Sequence, residues 1–272
     1  MLSFLLFVAA LGLPLRWGYL AHGADEWWRF GSSLRGFAVW LACALGFSAW
    51  AALVPRAAPK LILADPDAIA VDFHSHSSRS WDGRKMFTPA RNIEFHEAAG
   101  FGAGFLTDHN TVAGLDEARE LSGRRRMSGR SDYLSLDGQE LSLEGAHVVV
   151  IGSPRRIDPA AYGGIDGLKR LLTDAWPVYG GLAILSLPEY WLHHEDRLAE
   201  LAYSGTAGLE VFTSSPKALL FPDSARRRAV ELCRNRGMFL AGATDNHGYG
   251  SSACVWNLIR LLGGKGRLAL LP

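Results

Sequence analysis

The chain has 272 residues, 49% hydrophobic and 20% charged, which is enough apolar side chain to bury a core and too much for a disordered tail. Lys and Arg number 28 against 27 Asp and Glu, a formal net charge of +1, which excludes the basic excess of a general nucleic-acid binder. The three cysteines, Cys43, Cys233 and Cys254, form no C-x-x-C pair, so neither a disulfide scaffold nor a cysteine zinc ribbon is supported, and a bound metal would have to use His and carboxylate.

Hydrophobicity is uneven along the chain. Met1 to Leu15 carries no charge and Gly36 to Val54 is a run of 19 uncharged residues, close to the roughly 20 needed to cross a bilayer. Trp17, Tyr19, Trp27 and Trp28 lie between them, rings that favour the headgroup level. We expect two transmembrane helices forming an uncleaved hairpin over residues 1–59, linker included, with the lipid bilayer as partner. The alternatives are a signal peptide followed by one span, against which the first segment lacks a basic start and an evident A-x-A site before Arg16, and two buried core helices. Arg16, Arg29 and Arg35 on one side of the second span against Arg56 and Lys60 on the other decide no orientation. The expected location is the bacterial inner membrane, with the following domain in the cytoplasm. Pro55 to Pro59 reads as a short stiff linker, which puts the second domain at residues 60–272.

Beyond the linker, short apolar runs alternate with amphipathic stretches, the pattern of an α/β fold with parallel strands. Strands are expected at Ala68 to Phe73, Gly104 to Thr107, Tyr133 to Leu136, His147 to Ile151, Leu182 to Leu187, Gly208 to Phe212 and Phe239 to Ala243. Helices are expected at Pro89 to Ala99 with Thr88 as N-cap, Val112 to Leu121 with Thr111 as N-cap, Ile165 to Ala175, Glu195 to Ala202 and Ser224 to Arg236. Seven strands in that length suit a barrel.

Polar residues able to bind metal follow these strands, where a parallel barrel opens its C-terminal face. His74 and His76 follow the first, Asp108 and His109 the second, Glu140 and His147 lie near the next, and Asp245 and His247 follow the last; five of the nine histidines are thus placed. In His74-Ser75-His76 the strand period of two points both imidazoles the same way, so that one ion can take both. Asp245-Asn246-His247 repeats the spacing with a carboxylate, which can bridge two ions about 3.5–4 Å apart.

Asp72-Phe73-His74-Ser75-His76 with Asp82-Gly83 and Thr88-Pro89, Thr107-Asp108-His109-Asn110, Gly138-Gln139-Glu140 with His147, and Gly242-Ala243-Thr244-Asp245-Asn246-His247 together resemble the motifs of the polymerase and histidinol phosphatase (PHP) superfamily, in that family's order. The resemblance implies a distorted (β/α)7 TIM-like barrel holding two or three divalent ions, manganese, zinc or iron, and used for phosphoester hydrolysis. Carried over by motif, His74, His76, Glu140 and Asp245 would hold one ion, Glu140 would bridge to a second held by His147, and Asp82, His109 and His247 would hold a third. Asp108 would orient His109, or else cap the following helix. The resemblance leaves open a phosphomonoester, a nucleotide or oligonucleotide end, or a phosphoprotein as substrate; a phosphorylated small molecule or nucleotide is expected, since the balanced charge argues against long nucleic acid.

The sequence departs from the family at its fourth motif. Where Ala-His-Pro is common, this chain has Leu185-Ser186-Leu187-Pro188-Glu189, so Leu187 stands at the expected histidine and Glu189, ahead of His193 or His194, is the substitute ligand to test. Arg84, in the loop after the first strand, is positioned to meet a phosphate, and Glu210 to support the site from inside the barrel. The rival expectations are a PHP module that binds metal or serves as a scaffold after losing its chemistry, and hydrolysis of C–N or ester bonds on the same barrel type.

Overall fold

The structure is a computed structural model that describes residues 26–53, 59–188, 195–214, 218, 220–249 and 253–261; for residues 26–35 and 51–53 it describes the backbone only. The chain divides into two compact units, Met1–Arg56 and Ala57–Pro272. In the first, helix α1 (Glu26–Leu53) contains most of the apolar run that begins at Gly36, and Val39, Leu45, Phe47 and Trp50 are exposed on it. The expectation that the second apolar segment spans a membrane is corrected here, because among the described residues no helix is long and apolar enough to cross one. Glu26, Arg29 and Arg35 stand in the first part of α1, and a hydrocarbon core takes up such charges only at a cost. The expected first span, with Trp17 and Tyr19, lies outside the described residues.

The second unit runs β1 (Ala68–Ser75), α2 (Pro89–Ala99), β2 (Ala103–Leu106), α3 (Leu115–Met127), β3 (Leu134–Leu143), β4 (Ala146–Ile151), α4 (Gly164–Asp174), β5 (Leu182–Ser186), α5 (Leu198–Tyr203), β6 (Gly208–Thr213), α6 (Asp223–Arg236), β7 (Phe239–Ala243) and β8 (Asn257–Arg260). One eight-stranded sheet in the order β7-β6-β5-β4-β3-β2-β1-β8 holds all the strands. The end strand β7 meets β1 beyond the strand termini, where Asp245 N–H donates to His74 O at 2.9 Å and His76 N–H to Asn246 O at 3.1 Å. Asn257 closes the same seam lower down: its amide donates to Val71 O at 2.9 Å and Gly242 O at 2.7 Å, and accepts from Gly242 N at 2.8 Å. The result is a nearly closed α/β barrel in which the first and last ligand-bearing strands are neighbours.

Parallel pairing holds for β1-β2-β3 and β5-β6-β7. β4 runs antiparallel to both its neighbours, and β8 antiparallel to β1; neither reversal was expected, nor was β8 itself. A tight connection at Glu144 and Gly145, both at positive φ, joins β3 to β4, and a hairpin of this kind reverses direction whereas a parallel pair needs a long crossover. The expected strand ending at Leu136 therefore continues to Leu143 as one arm of this hairpin. α2 begins as expected, with Thr88 Oγ1 accepting from Arg91 N. α3 starts at Leu115, later than expected, because Thr111 Oγ1 instead accepts from Ala113 N in a local turn.

Side-chain alternation divides the core into two layers. Val148, Val150, Leu185, Leu187, Leu209 and Val211 point outward into the layer beneath α4 and α6. Val149, Ile151 and Ile184 point inward and pack with Phe73, Phe105 and Phe239. This apolar interior plug fills the barrel below the polar cluster.

Candidate metal centre

His74 is carried on β1 and His76 immediately follows it; their Nε2 atoms face each other at 2.9 Å. Glu140 Oε2 lies 3.0 Å from His74 Nε2 and 3.1 Å from His76 Nε2. Asp245 Oδ1 lies 3.6 and 3.3 Å from the same two nitrogens. Four ligands set tetrahedrally about 2.0–2.2 Å from one ion stand roughly 3.3–3.6 Å apart, close to these separations. Asp245 sits at φ +46°, a left-handed conformation that costs a non-glycine residue energy and persists where the surroundings fix it. Here the backbone bonds of Asp245 and Asn246 to β1 provide the constraint.

Glu140 also reaches His147, whose Nδ1 is 2.5 Å from Oε1, and His109, whose Nδ1 is 3.1 Å from Oε2. The β3–β4 register explains the first contact: Ser142 pairs with His147, and Glu140, two residues from Ser142, shares its face. His109 Nε2 and His247 Nε2 both face Asp82 Oδ2, at 3.3 and 3.1 Å. All eight residues expected as ligands, His74, His76, Asp82, His109, Glu140, His147, Asp245 and His247, thus converge in one cluster with Glu140 at its centre. Three overlapping subsets, His74–His76–Glu140, His109–Glu140–His147 and His76–His109–His247, have ligand atoms close enough to hold an ion.

Both carboxylate oxygens of Glu140 are buried and form no hydrogen bond, although four ring nitrogens stand within 3.1 Å of them. Buried polar atoms without a hydrogen bond are rare and costly. Here the surrounding imidazole nitrogens converge on the carboxylate at the separations of ligands around a shared cation. The donor set of imidazoles and carboxylates, without thiolate, fits a divalent transition metal.

The electrostatics agree with this. Burial alone lowers the pKa of His74, but Glu140, Glu210 and Asp245 outweigh it and hold the ring well above its ordinary value. His76 is raised to about 9 against its burial, by the neighbouring carboxylates of Asp245 and Glu140. Burial raises Glu140 and Asp245, but neighbouring imidazoles, His74 first among them, pull both below the ordinary carboxylate range. Asp82 is held down by His109 and His247 against its own burial, whereas at His109 burial wins and the pKa falls. The buried carboxylates therefore need positive charge beside them, and protons or metal ions can supply it.

Residues around the ligands orient them. Glu210 Oε2 lies 3.0 Å from His74 Nδ1, which leaves Nε2 turned to the cluster, and Ser186 Oγ donates to Glu210 Oε1 at 2.6 Å. His247 Nδ1 faces the Asp245 carbonyl at 2.9 Å; a carbonyl only accepts, so Nδ1 carries the proton and Nε2 the lone pair. Ser142 Oγ meets His109 Nδ1 at 3.2 Å. Beneath β1, buried Asp72 binds His96 Nε2 at 2.9 Å and accepts from Thr244 Oγ1 at 2.5 Å and Thr244 N at 3.1 Å, joining α2, β1 and the segment leading to Asp245. Sequence reasoning missed His96, Ser142 and Ser186. Ser142, two residues beyond Glu140, would have been legible had β3 been extended through it.

Two expected roles change, those of Asp108 and Leu187. Asp108 does not orient His109: its carboxylate accepts from Ser77 N at 2.6 Å and Ser77 Oγ at 2.8 Å, so it fixes the turn after β1. Leu187 packs in the outer apolar layer, one residue past Ser186, whose hydroxyl faces inward, so the leucine side chain does not occupy a ligand position. Arg84 stands at the rim, its backbone N–H donating to His247 O at 2.9 Å and its Nη1 to Gly248 O at 3.4 Å. Glu189, His193 and His194 lie outside the described residues.

No protein-family model matches the chain, and no curated protein matches it. Among solved structures it is similar to "a putative metal-dependent phosphoesterase" from Bifidobacterium adolescentis, with 17% identity, a TM-score of 0.52, and coverage of 68% of this chain and 90% of that one. Two further similar structures are an amidohydrolase from Chromobacterium violaceum with bound sulfate and no metal (19% identity, TM-score 0.47, covering 71% and 92%) and PsfC from Pseudomonas syringae (16%, 0.45, covering 67% and 78%). At these identities the likeness to the Bifidobacterium protein shows a shared fold.

Proposed function

We propose that the protein is a metal-dependent phosphoesterase that hydrolyses phosphoric esters with two or three divalent ions, manganese, zinc or iron. The observation that carries this reading is the buried Glu140 carboxylate, ringed by four imidazoles and without a hydrogen bond. The fold shared with the Bifidobacterium protein described as a phosphoesterase supports it.

His74, His76, Glu140 and Asp245 would hold one ion, Asp82, His109 and His247 another, and Glu140 with His147 would contribute to a third. The ions, when bound, lower the pKa of water toward about 7 and polarise the phosphoryl oxygen. Glu210 and Ser142 fix the imidazoles of His74 and His109. Arg84, half-buried at the rim and tied by its backbone to His247, meets the phosphoryl group with its guanidinium, a geometry suited to phosphate. The complete His74–His76–Glu140–Asp245 set speaks against a barrel that has lost its chemistry. Contact with a lipid bilayer is a separate proposal, supported by the exposed apolar side chains of α1 and tested by membrane fractionation of the full chain.

The test is metal content of the purified chain, followed by phosphate release from p-nitrophenyl phosphate with added manganese. Bound metal and turnover, both lost in Glu140→Gln, are expected. A metal-loaded protein that releases no phosphate yet cleaves amide or carboxylic ester analogues would overturn the assignment.

A further inference from the structure

Trp81 is 76% exposed. Single apolar side chains on a surface are ordinary, but this one occupies a built position. Gly83 N donates to Ser80 O at 3.2 Å, so Trp81 and Asp82 are the two central residues of a four-residue turn. Asp82 points to His109 and His247, and the Trp81 ring stands beside His109 with centroids 5.9 Å apart. The turn is rigid: Ser80 Oγ donates to Asp82 Oδ1 at 2.9 Å and accepts from His109 N at 3.1 Å. A Cβ on Gly83 would lie 1.9 Å from Ser77 O, so no other residue fits there. Across the mouth, Arg84 ties this loop to His247 and Gly248, and the next residue, Tyr249, is also exposed.

A large indole held in water by a rigid turn, one residue from a carboxylate of the centre, forgoes the burial it would gain elsewhere. A flat ring laid against it would recover that burial. We propose that Trp81 is a stacking platform, and that the substrate is a phosphoester whose organic part carries a planar ring, aryl or nucleobase, close to the phosphoryl group. This rests on the phosphoesterase reading and specifies its substrate. The indole face accepts any such ring, since stacking is tolerant of base identity.

The probes are benzylphosphonate and propylphosphonate, which carry the same phosphonate group on an uncleavable P–C bond and differ in the ring. Their dissociation constants are measured by calorimetry on the manganese-loaded full chain and on its Trp81→Ala and Trp81→Phe variants, with metal content determined for each. Wild type is expected to bind benzylphosphonate the more tightly. Trp81→Ala should weaken benzylphosphonate by about 5- to 100-fold with little change for propylphosphonate and the same metal content, and Trp81→Phe should restore most of the loss. Equal affinities in the wild type, or equal weakening of both ligands by Trp81→Ala, would overturn the platform while leaving phosphoester binding intact. Binding of neither phosphonate by the metal-loaded wild type would overturn the phosphoesterase reading and the platform with it.

Discussion

Replacing Glu210 by Gln and by Ala separates the charge behind His74 from the hydrogen bond itself. Glu210 is fully buried and accepts from His74 Nδ1 on one oxygen and Ser186 Oγ on the other. In Glu210→Gln the amide oxygen still accepts from Nδ1, and the amide NH2 faces a hydroxyl that rotates to accept, so the geometry survives and only the charge is lost. Hydrogen bonds to charged groups contribute about 1.5–3 kcal/mol and neutral ones about 1. The difference, about 1 kcal/mol, corresponds to metal affinity about 5-fold weaker. Glu210→Ala leaves the Nδ1–H buried without a partner, roughly a further 1–3 kcal/mol, and frees the ring to turn. Affinity should then fall about 100-fold, the upper end of what loss of such a partner costs. Chelator competition on the full chain measures both, with thermal melts of the metal-free proteins as a check on folding. If Glu210→Ala folds and binds metal as tightly as wild type, Glu210 does not set the His74 ligand.

Leu187→His should lose stability without gaining metal, because the imidazole would enter the outer apolar layer among Leu185, Leu209 and Val211. A buried leucine lost and a polar ring left unpaired cost about 3 kcal/mol or more, read as a drop of roughly 6–12 °C in Tm, and a rise in bound metal would refute the placement. In the metal-free protein His76, raised to about 9 from an unfolded value near 6.5, contributes stability that is fully present below about pH 6.5 and is lost as pH rises to about 9; melts across that range should show the decline. Metal reverses the trend, since protons compete for the same nitrogens, so apparent metal affinity should rise over the same interval. His96→Phe removes the imidazole partner of the buried Asp72 carboxylate and should destabilise the fold by about 3–5 kcal/mol, measured by urea unfolding; a change below about 1 kcal/mol would show that Thr244 and the His74 N–H satisfy Asp72 without it.

The pairs His74–His76 and Asp245–His247 were legible because each sits at a strand end with a spacing of two, whereas Asp82, in a turn beyond β1, and Glu140, inside β3, took their roles from the resemblance. The direction of β4 was not legible. An apolar run such as Val148–Ile151 reads the same either way, and only the turn at Glu144 and Gly145 reverses it. The residues that hold the ligands were legible only in part: Glu210 follows a strand, whereas His96 is a buried histidine on a helix whose partner, Asp72, is 24 residues away. The fourth motif shows why matching positions does not fix side-chain direction. Leu185 and Leu187 share the outward face and Ser186 the inward one, so the pleat, and not the motif, decides what the end of β5 offers the barrel. What it offers is a hydroxyl that grips Glu210, which in turn grips His74. At that corner, where the resemblance leads one to expect a histidine, this chain uses its inward position to support His74 through Glu210.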